Sequence, residues 1–300
     1  MKIINHQSSI INQIDFTASG KINLFLDILG KRADGYHELR SVVLPVSLCD
    51  TITVSAREDS VVTCRTIGEG TDVSELDSLP LEKQLAVKAL RAMQRLTGIM
   101  TGADISVVKR IPIGAGMGGG SADAAGVMRA FMKLRNPAII NRQSSIINQQ
   151  SAILSAAASI GSDVPALFLG GPALMEGRGE RVKPVGFAIP KMHLVVAFPG
   201  FAVSTKKIYE EFRVSPAPRP DDFSMRNDLE KTVFRLYPEV LKLRDSLLEC
   251  GAKAAMVSGS GSAVFGVAED ADHARKIQSR LPQTLWSRTV ETVEASSQNP

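Results

Sequence analysis

The chain contains little cysteine, few aromatic residues and little net charge. Its 300 residues include three cysteines, which are far apart and form no C-x-x-C pair. This spacing predicts reduced thiols and no zinc site. Aromatic residues make up 5% of the chain, and the formal net charge is +4. Because the basic residues are also dispersed, we expect no nucleic-acid partner, and the mild positive charge suits an anionic small-molecule substrate.

Long apolar runs are also absent. No uninterrupted apolar stretch approaches the 18 residues that a membrane-spanning helix needs, so we expect no membrane partner. The first residues do not follow the basic-then-apolar pattern of a secretion signal, and we therefore expect a cytoplasmic protein. An apolar content of 44% and a charged content of 22% are typical of a globular protein of one or two domains. We expect a monomer or a weak homodimer.

Glycine, in contrast, is concentrated in one stretch. The pattern at 105–112 predicts a strand, and the apolar spacing after Ser121 predicts a helix. The glycines between them occupy five of seven positions, namely Gly114, Gly116, Gly118, Gly119 and Gly120. A bare loop that enters a helix directs free backbone N–H groups and the positive end of the helix dipole at one point. The stretch therefore predicts a phosphate-binding site.

Several kinds of glycine loop compete for this stretch. Gly114-x-Gly116-x-x-Gly119 matches the dinucleotide fingerprint, but no acidic residue follows about 20 residues later. The Walker A spacing fails because Gly120 stands where that loop has its lysine. A third kind of loop would take its cation from elsewhere in the chain. A purely structural glycine turn is the remaining alternative.

Two charged residues are candidates for the chemistry. Lys21 alternates with apolar residues on a strand predicted over 16–29, so it could supply the missing cation or simply face solvent. Asp163 is the only charged residue between Arg142 and Glu176. A carboxylate in such apolar surroundings is a candidate general base. Its position two residues before Pro165 is equally typical of a helix N-cap.

Tyr36 and His37 follow an Asp34-Gly35 turn in a predicted hairpin loop. An aromatic ring beside an imidazole can stack on a planar ligand and form a hydrogen bond with its edge. The alternative is a tyrosine that only closes the hairpin.

The order of the predicted elements indicates an α+β fold with two lobes that divide near residue 184. Strands dominate the first half, and a βαβ-like pattern follows the glycine loop and its helix. The segment 227–230 predicts a capping arrangement that opens a helix. An identical heptapeptide occurs at 7–13 and at 143–149, and we interpret both copies as surface additions of low complexity.

Three motifs in order resemble those of the GHMP kinase superfamily. They are Ala-Ser-Gly-Lys-Ile-Asn-Leu at 18–24, the glycine stretch at 112–125, and Val-Ser-Gly-Ser-Gly-Ser-Ala-Val-Phe at 257–265. The segments 32–39, 161–165 and 227–230 are most similar to superfamily members that phosphorylate a cytidine-diphosphate-linked methylerythritol. The sequence departs from the usual pattern of the superfamily in three places, at Ser19-Gly20, at Ala122 and at Lys83-Gln84.

The resemblance implies a fold and a reaction. The two-lobed GHMP kinase fold would combine a ribosomal-S5-domain-2-like ATP-binding lobe over 1–184 with a ferredoxin-like substrate-binding lobe over 185–300. ATP would be the co-substrate, with Mg²⁺ bridging its phosphates. Asp163 would accept the proton of the substrate hydroxyl, and Lys21 would keep Asp163 ionised. Asp123, in the first turn of the helix, would repel the phosphates unless it faces away or works through Mg²⁺, and it is not assigned to the catalytic set.

The resemblance also implies two sets of binding residues. Those for ATP phosphates would be Pro112, Gly114, Gly116, Gly118, Gly119, Gly120 and Ser121, with Ser121 also a candidate metal ligand. Those for the cytidine diphosphate substrate would be Asn23, Tyr36, His37, Thr205 and Tyr209, with the two tyrosines enclosing the cytosine. Two alternatives stay open. One is a kinase for another alcohol, such as homoserine or phosphomevalonate, and the other is a non-catalytic nucleotide-binding protein.

Overall fold

The computed structural model describes residues 13–134, 146–213, 222 and 224–294. The strands in these ranges are β1 Gln13–Lys31, β2 His37–Ala56, β3 Val62–Gly68, β4 Ala103–Lys109, β5 Ala173–Gly177, β6 Arg181–Pro184, β7 His193–Phe198, β8 Arg226–Asn227, β9 Ala254–Val257, β10 Val264–Ala268 and β11 Trp286–Glu291. The α-helices there are α1 Ser74–Asp77, α2 Leu85–Thr97, α3 Gly119–Leu134, α4 Ile146–Ile160, α5 Val164–Leu169, α6 Thr205–Glu211, α7 Glu230–Leu236, α8 Pro238–Glu249 and α9 Ala271–Arg280.

Seven strands form the first sheet, built around the long antiparallel pair β1 and β2. The order is β3-β4-β2-β1-β8, and β5 and β6 extend from the end of β2 that lies nearest the β1–β2 turn. β1 has a bulge at Ser19-Gly20, because the register with β2 shifts between Ser19 and Lys21. β2 is one continuous strand that pairs with β1, β4 and β5.

Helices α2, α3, α4 and α5 lie on one face of this sheet. Their apolar side chains and those of β2 and β4 form one buried cluster, which includes Ile52, Leu90, Ile105 and Val127. Helix α3 packs against β1 and β2. This packing places the start of α3 at the edge of the sheet that carries Lys21.

The second sheet has the order β11-β7-β10-β9, and all of its pairs are antiparallel. Between β7 and β9 the chain forms α6, α7 and α8 and sends β8 to the first sheet, and α9 lies between β10 and β11. Helical connections in these two places and the strand order β11-β7-β10-β9 give the ferredoxin-like β-α-β-β-α-β pattern. Apolar residues of both sheets share two further clusters, so that Leu26 of β1 and Val195 of β7 belong to the same core.

The predicted α+β fold with two sheets is confirmed. The division at residue 184 falls between β6 and β7 and stays a prediction. The predicted capping arrangement at 227–230 is found in part: Oδ1 of Asn227 accepts from the backbone N–H of Leu229 at 3.0 Å just before α7, whereas the Glu230 carboxylate accepts from the backbone of Val257. Most of the first heptapeptide copy and residues 143–145 of the second lie outside the described residues. Among the residues described, no helix combines the length and apolar character needed to cross a bilayer.

Candidate active site

Two cavities meet at the glycine loop. The larger has a volume of about 670 Å³ and lies between the first sheet and α6. The smaller has a volume of about 500 Å³ and lies between the glycine loop and α2. Pro112 and all five loop glycines line the smaller cavity. The residues that line both cavities are Gly116, Gly118, Ser121 and Thr205.

The glycine loop passes between the two lobes in a conformation that side chains would block. Gly116 has a φ of +76°, in the left-handed region. A Cβ atom at Gly116 would lie 2.3 Å from the carbonyl oxygen of Ser258. Helix α3 begins at Gly119, two residues before the predicted start, so Gly119 and Gly120 form its first turn. The N-terminus of α3 therefore opens beside both cavities.

Lys21 lies buried beside this loop, and only 3% of its surface is exposed. Its backbone N–H donates to the carbonyl of Met117 at 2.9 Å. Its Nζ donates to Oδ1 of Asn23 at 2.7 Å and lies 3.7 Å from Oδ2 of Asp163. The alternative of a solvent-facing lysine is therefore wrong, because the second lobe covers this face of β1. In turn, Asn23 donates from Nδ2 to the Ser41 hydroxyl at 2.8 Å, which fixes the amide orientation.

Asp163 occupies the N-cap position of α5, but its side chain makes no capping hydrogen bond. The carboxylate instead faces the larger cavity and is 27% exposed. The alternative that Asp163 serves only as a helix cap is therefore wrong. A partly exposed carboxylate beside a buried ammonium can accept a proton from a group bound in the cavity.

Aromatic side chains line the other end of the larger cavity. Tyr36 is 55% exposed, and the His37 ring contacts that of Tyr209 at a tilt of 42°, with the ring centroids 5.3 Å apart. Burial lowers the pKa of His37, and the nearby charge of Lys31 lowers it further. Burial also raises the pKa of Tyr209, with a smaller contribution from the charge of Asp163. Both rings are therefore neutral near pH 7.

Three cations in the larger cavity carry no sequence motif and were missed by the sequence analysis. Lys31, Arg178 and Lys206 line it from three separate elements. The Arg178 guanidinium lies over the Tyr36 ring, 5.1 Å from its centroid. The sequence indicates a turn at 176–180, but a turn alone gives no reason to expect that Arg178 binds a ligand.

The loop at 258–262 packs over Lys21, and other residues of the second lobe hold the loop in place. Ser258 donates from Oγ to the carbonyl of Gly116 at 3.1 Å. Asn227 donates from Nδ2 to the carbonyls of Val257 and Gly259 at 3.0 and 2.7 Å. Oε1 of Glu230 accepts from the backbone N–H of Val257 at 3.0 Å. The segment predicted as a helix cap therefore also supports this loop.

Thr205 begins α6 at the rim shared by the two cavities. Its hydroxyl lies 2.8 Å from that of Ser260, so it joins α6 to the 258–262 loop. Ser204 caps the helix by accepting from the backbone N–H of Lys207 at 3.2 Å.

A buried charged cluster lies beneath the start of α3, and two of its three members, Asp50 and Lys109, carry no signal in the sequence. Lys109 donates from Nζ to Oδ2 of Asp123 at 2.8 Å and also to Oδ2 of Asp50. Burial would lower the pKa of Lys109, but the charges of Asp123 and Asp50 outweigh that effect and raise it. Burial raises the pKa of Asp123 to about 7, although the Lys109 ammonium opposes this shift. Asp123 therefore faces Lys109, whose ammonium offsets the charge of a carboxylate that lines the smaller cavity.

No group of three or more His, Cys, Asp or Glu side chains that could hold a metal ion occurs in the described part of the chain. The three cysteines are free thiols. Cys64 lines the smaller cavity, where burial raises its pKa to about 11. Of the residues predicted to contact a metal or phosphate, Ser121 is half-buried and faces both cavities.

Comparison with known proteins gives consistent matches in sequence and in structure. Residues 84–171 match the GHMP kinases N terminal domain, and residues 217–286 match the GHMP kinases C terminal domain. The chain is 37% identical to the 4-diphosphocytidyl-2-C-methyl-D-erythritol kinase of Moorella thermoacetica, over 91% of this chain and 98% of that protein. It is 34% identical to the kinase of the same name from Pelotomaculum thermopropionicum, over 89% and 93%.

Among solved structures, a 4-(cytidine 5'-diphospho)-2C-methyl-D-erythritol kinase is similar with a TM-score of 0.72 and 32% identity, covering 92% of this chain and 99% of that one. A homoserine kinase from Cytophaga hutchinsonii has a TM-score of 0.68 at 16% identity, covering 97% and 98%, and shares the fold. The paired cavities, the glycine loop and these matches lead to one conclusion: the chain belongs to the GHMP kinase family, among the 4-diphosphocytidyl-2-C-methyl-D-erythritol kinases.

Proposed function

We propose that this protein transfers the γ-phosphoryl group of ATP to the 2-hydroxyl of 4-diphosphocytidyl-2-C-methyl-D-erythritol, a step of non-mevalonate isoprenoid precursor synthesis. The observation that carries the proposal is the Lys21–Asp163 pair, 3.7 Å apart, beside the glycine loop that separates two cavities. One cavity can hold each substrate, and the reacting groups would meet at their shared wall.

The smaller cavity suits ATP. The N-terminus of α3 and the bare loop backbone offer N–H groups to the phosphates, as helix N-termini do for anions. Pro112, Gly114, Gly116, Gly118, Gly119, Gly120 and Ser121 would surround the triphosphate, and all of them line this cavity.

The larger cavity suits the cytidine diphosphate substrate. Tyr36, His37 and Tyr209 offer aromatic surfaces for the cytosine at one end, and Asn23 and Thr205 lie toward the glycine loop. We assign Lys31, Arg178 and Lys206 to the diphosphate, because cations in a cavity favour an anionic ligand.

The reaction follows from this placement. The substrate hydroxyl would give its proton to Asp163 as its oxygen bonds to the γ-phosphorus, and the bond to the bridging oxygen of ADP would break. The Lys21 ammonium, 3.7 Å from Asp163, would offset the negative charge on the phosphoryl oxygens as it develops. Asn23 holds the ammonium in place through the 2.7 Å hydrogen bond.

Mg²⁺ fits this site as a companion of the nucleotide. Because Mg²⁺ usually keeps several waters and binds through phosphates with few protein ligands, a site without a carboxylate cluster is sufficient. The Ser121 hydroxyl would hold it from the first turn of α3. When bound, the ion neutralises charge on the transferred phosphoryl group.

The remaining assignments follow the same reasoning. We infer an ATP-binding lobe over 1–184 and a substrate-binding lobe over 185–300, since the glycine loop lies in the first range and α6 in the second. We also infer a cytoplasmic enzyme that acts as a monomer or weak homodimer on a small molecule, without nucleic-acid or membrane partners.

An acceptor panel tests this function. Purified protein with MgATP is incubated with the cytidylyl methylerythritol substrate, homoserine, mevalonate or phosphomevalonate, and ADP release is followed together with the phosphorylated product. We expect turnover with the cytidylyl compound and little with the others. Preference for another alcohol would refute the substrate assignment, and ATP binding without any transfer would favour the non-catalytic alternative.

Asp163→Asn is the matched variant for the mechanism, because it keeps the shape of the side chain and removes the base. We expect kcat to fall by about 10²–10⁴-fold with little change in the KM of either substrate. Turnover equal to that of the wild type would show that another group takes the proton.

A further inference from the structure

The buried cluster of Asp50, Lys109 and Asp123 joins the two ends of the glycine loop. Oδ1 of Asp50 accepts from the backbone N–H groups of Arg110 and Ile111, at 2.5 and 2.9 Å. These two residues lead into the loop. Asp123 lies in the first turns of α3, directly after the loop, and Lys109 bonds both carboxylates. The cluster therefore ties the start of the loop to its end.

The loop needs such support from outside. Its glycines have no side chains that could fix the backbone, and a chain of this kind loses much conformational entropy when it is ordered. Phosphate binding nevertheless requires several N–H groups to converge on one point. Groups beneath the loop must supply that order.

The cluster faces one cavity and not the other. Lys109 and Asp123 line the smaller cavity, and none of the three residues is among the described residues that line the larger one. Oδ1 of Asp123 has no hydrogen-bond partner although only 8% of this side chain is exposed. A Cβ atom on Gly119 would lie 3.0 Å from the Lys109 ammonium, which places that charge directly beneath the first residue of α3.

The charges explain why the lysine needs two carboxylates. A lone ammonium buried at the positive end of a helix would be unfavourable in two ways, by desolvation and by repulsion from the helix dipole. Asp50 and Asp123 offset both effects. Asp50 alone neutralises the formal charge, so the distinct contribution of Asp123 is to attach α3 to the ammonium.

We propose that Asp50, Lys109 and Asp123 are positioning residues for the triphosphate of ATP: the cluster fixes the glycine loop and the first turn of α3 for nucleotide binding and leaves the cytidine substrate unaffected. The proposal rests on ATP being the ligand of the smaller cavity. It assigns a role to a buried cluster that the phosphoryl-transfer chemistry itself does not use.

The test compares Asp123→Ala with Asp123→Asn by calorimetric titration with MgADP and with a non-hydrolysable ATP analogue. Asp123→Ala leaves the Asp50–Lys109 pair intact but releases α3, so we expect the nucleotide Kd to rise about tenfold or more. Asp123→Asn keeps an oxygen that can accept from Lys109, so we expect it to restore most of the affinity. The Kd of the cytidine substrate should stay within about twofold in both variants.

Val127→Ala is the matched control on the same helix. Val127 is fully buried in the apolar cluster and lines neither cavity, so its truncation lowers stability without touching the loop. We expect an unchanged nucleotide Kd in this variant. A tenfold rise in this control, or equal losses for nucleotide and cytidine substrate in Asp123→Ala, would overturn the proposal in favour of a general effect on folding.

Asp50→Asn tests the other end of the cluster and serves if Asp123→Ala fails to fold. The amide has one acceptor oxygen, so either the backbone N–H groups or the ammonium loses a partner. We expect the same selective loss of nucleotide affinity, and wild-type affinity would overturn the proposal. Nucleotide Kd values need no acceptor, so this outcome is separate from the result of the acceptor panel.

Discussion

At the scale of single residues, the position of Tyr36 suggests how the enzyme recognises a cytidine. The ring is 55% exposed in the larger cavity, and one of its faces is covered by the Arg178 guanidinium. An exposed aromatic ring that already contacts a cation on one face is positioned to stack on a base with the other. The enclosure of cytosine between Tyr36 and Tyr209 stays a prediction, because the described contacts pair Tyr209 with His37.

Replacement of Tyr36 by alanine tests this recognition. We expect the KM for the cytidine substrate to rise about tenfold, since stacking on one base contributes about 1–3 kcal/mol. The KM for ATP should not change, because Tyr36 does not line the smaller cavity. Steady-state kinetics with each substrate varied in turn give both values, and equal losses for the two substrates would contradict the assignment.

His37 provides a pH-dependent signal. Its pKa is below the ordinary value of 6.5, first through burial and then through Lys31. The unfolded chain therefore binds more protons than the folded chain in the window just below pH 6.5, so the contribution of His37 to stability is present above pH 6.5 and is lost as the pH falls through its folded pKa.

We expect the free energy of unfolding to decrease from pH 7 to pH 5 more steeply in the wild type than in His37→Gln. Urea titrations at several pH values measure the difference between the two proteins, which removes the contributions of other groups. Parallel curves would show that the His37 pKa is not displaced by folding.

At the scale of structural elements, the glycine loop is constrained by its neighbour in the other lobe. Gly116→Ala would place a methyl group 2.3 Å from the Ser258 carbonyl at a φ of +76°. The left-handed conformation alone costs about 1–2 kcal/mol for a residue other than glycine. We expect a loss of stability above that amount and a loss of ATP binding, measured by thermal unfolding with and without MgADP.

Gly186→Ala is the control for this substitution. A Cβ atom there meets nothing within 4 Å and the backbone is not left-handed, so we expect a change of stability within about 0.5 kcal/mol. A similar loss in both variants would mean that the loop at 258–262 does not confine Gly116.

The sequence predicted the elements whose signals are local and missed those built from distant contacts. Alternation and turn residues are enough for the hairpin around Asp34-Gly35, and apolar spacing is enough for the helix after Ser121. Lys109 and Asp50 are 59 residues apart and adjoin ordinary strand patterns, so nothing in the sequence joins them. The segment 227–230 contains the residues of a helix cap, and Oδ1 of Asn227 does accept from Leu229. Its amide N–H groups and the Glu230 carboxylate also bond the backbone of Val257 and Gly259, which no local signal indicates.

At the scale of the whole molecule, the two lobes share their interior. β8, from the second half of the chain, pairs in parallel with β1 of the first sheet. One buried cluster contains Leu26 and Val43 from the first sheet and Val195 and Ala197 from the second. Cores joined in this way are stabilised together.

We therefore expect one cooperative unfolding transition. Trp286 is the single tryptophan and lies on β11, so its fluorescence reports on the second sheet, whereas far-ultraviolet circular dichroism reports on all elements. The two signals should give the same urea midpoint, as two-state behaviour requires. Separate midpoints would show that the lobes unfold independently.

The common boundary formed by Gly116, Gly118, Ser121 and Thr205 has a practical consequence for inhibitor design. A two-headed compound, with a cytidine-like group at one end and an adenosine-like group at the other, could occupy both chambers if its tether crosses at these residues. Its second end would bind at a high effective concentration once the first is seated. Relatives of the same fold that accept a different alcohol would bind only the adenosine-like end. The affinity gained from the second end would therefore be confined to enzymes that bind cytidine, which would make the compound selective.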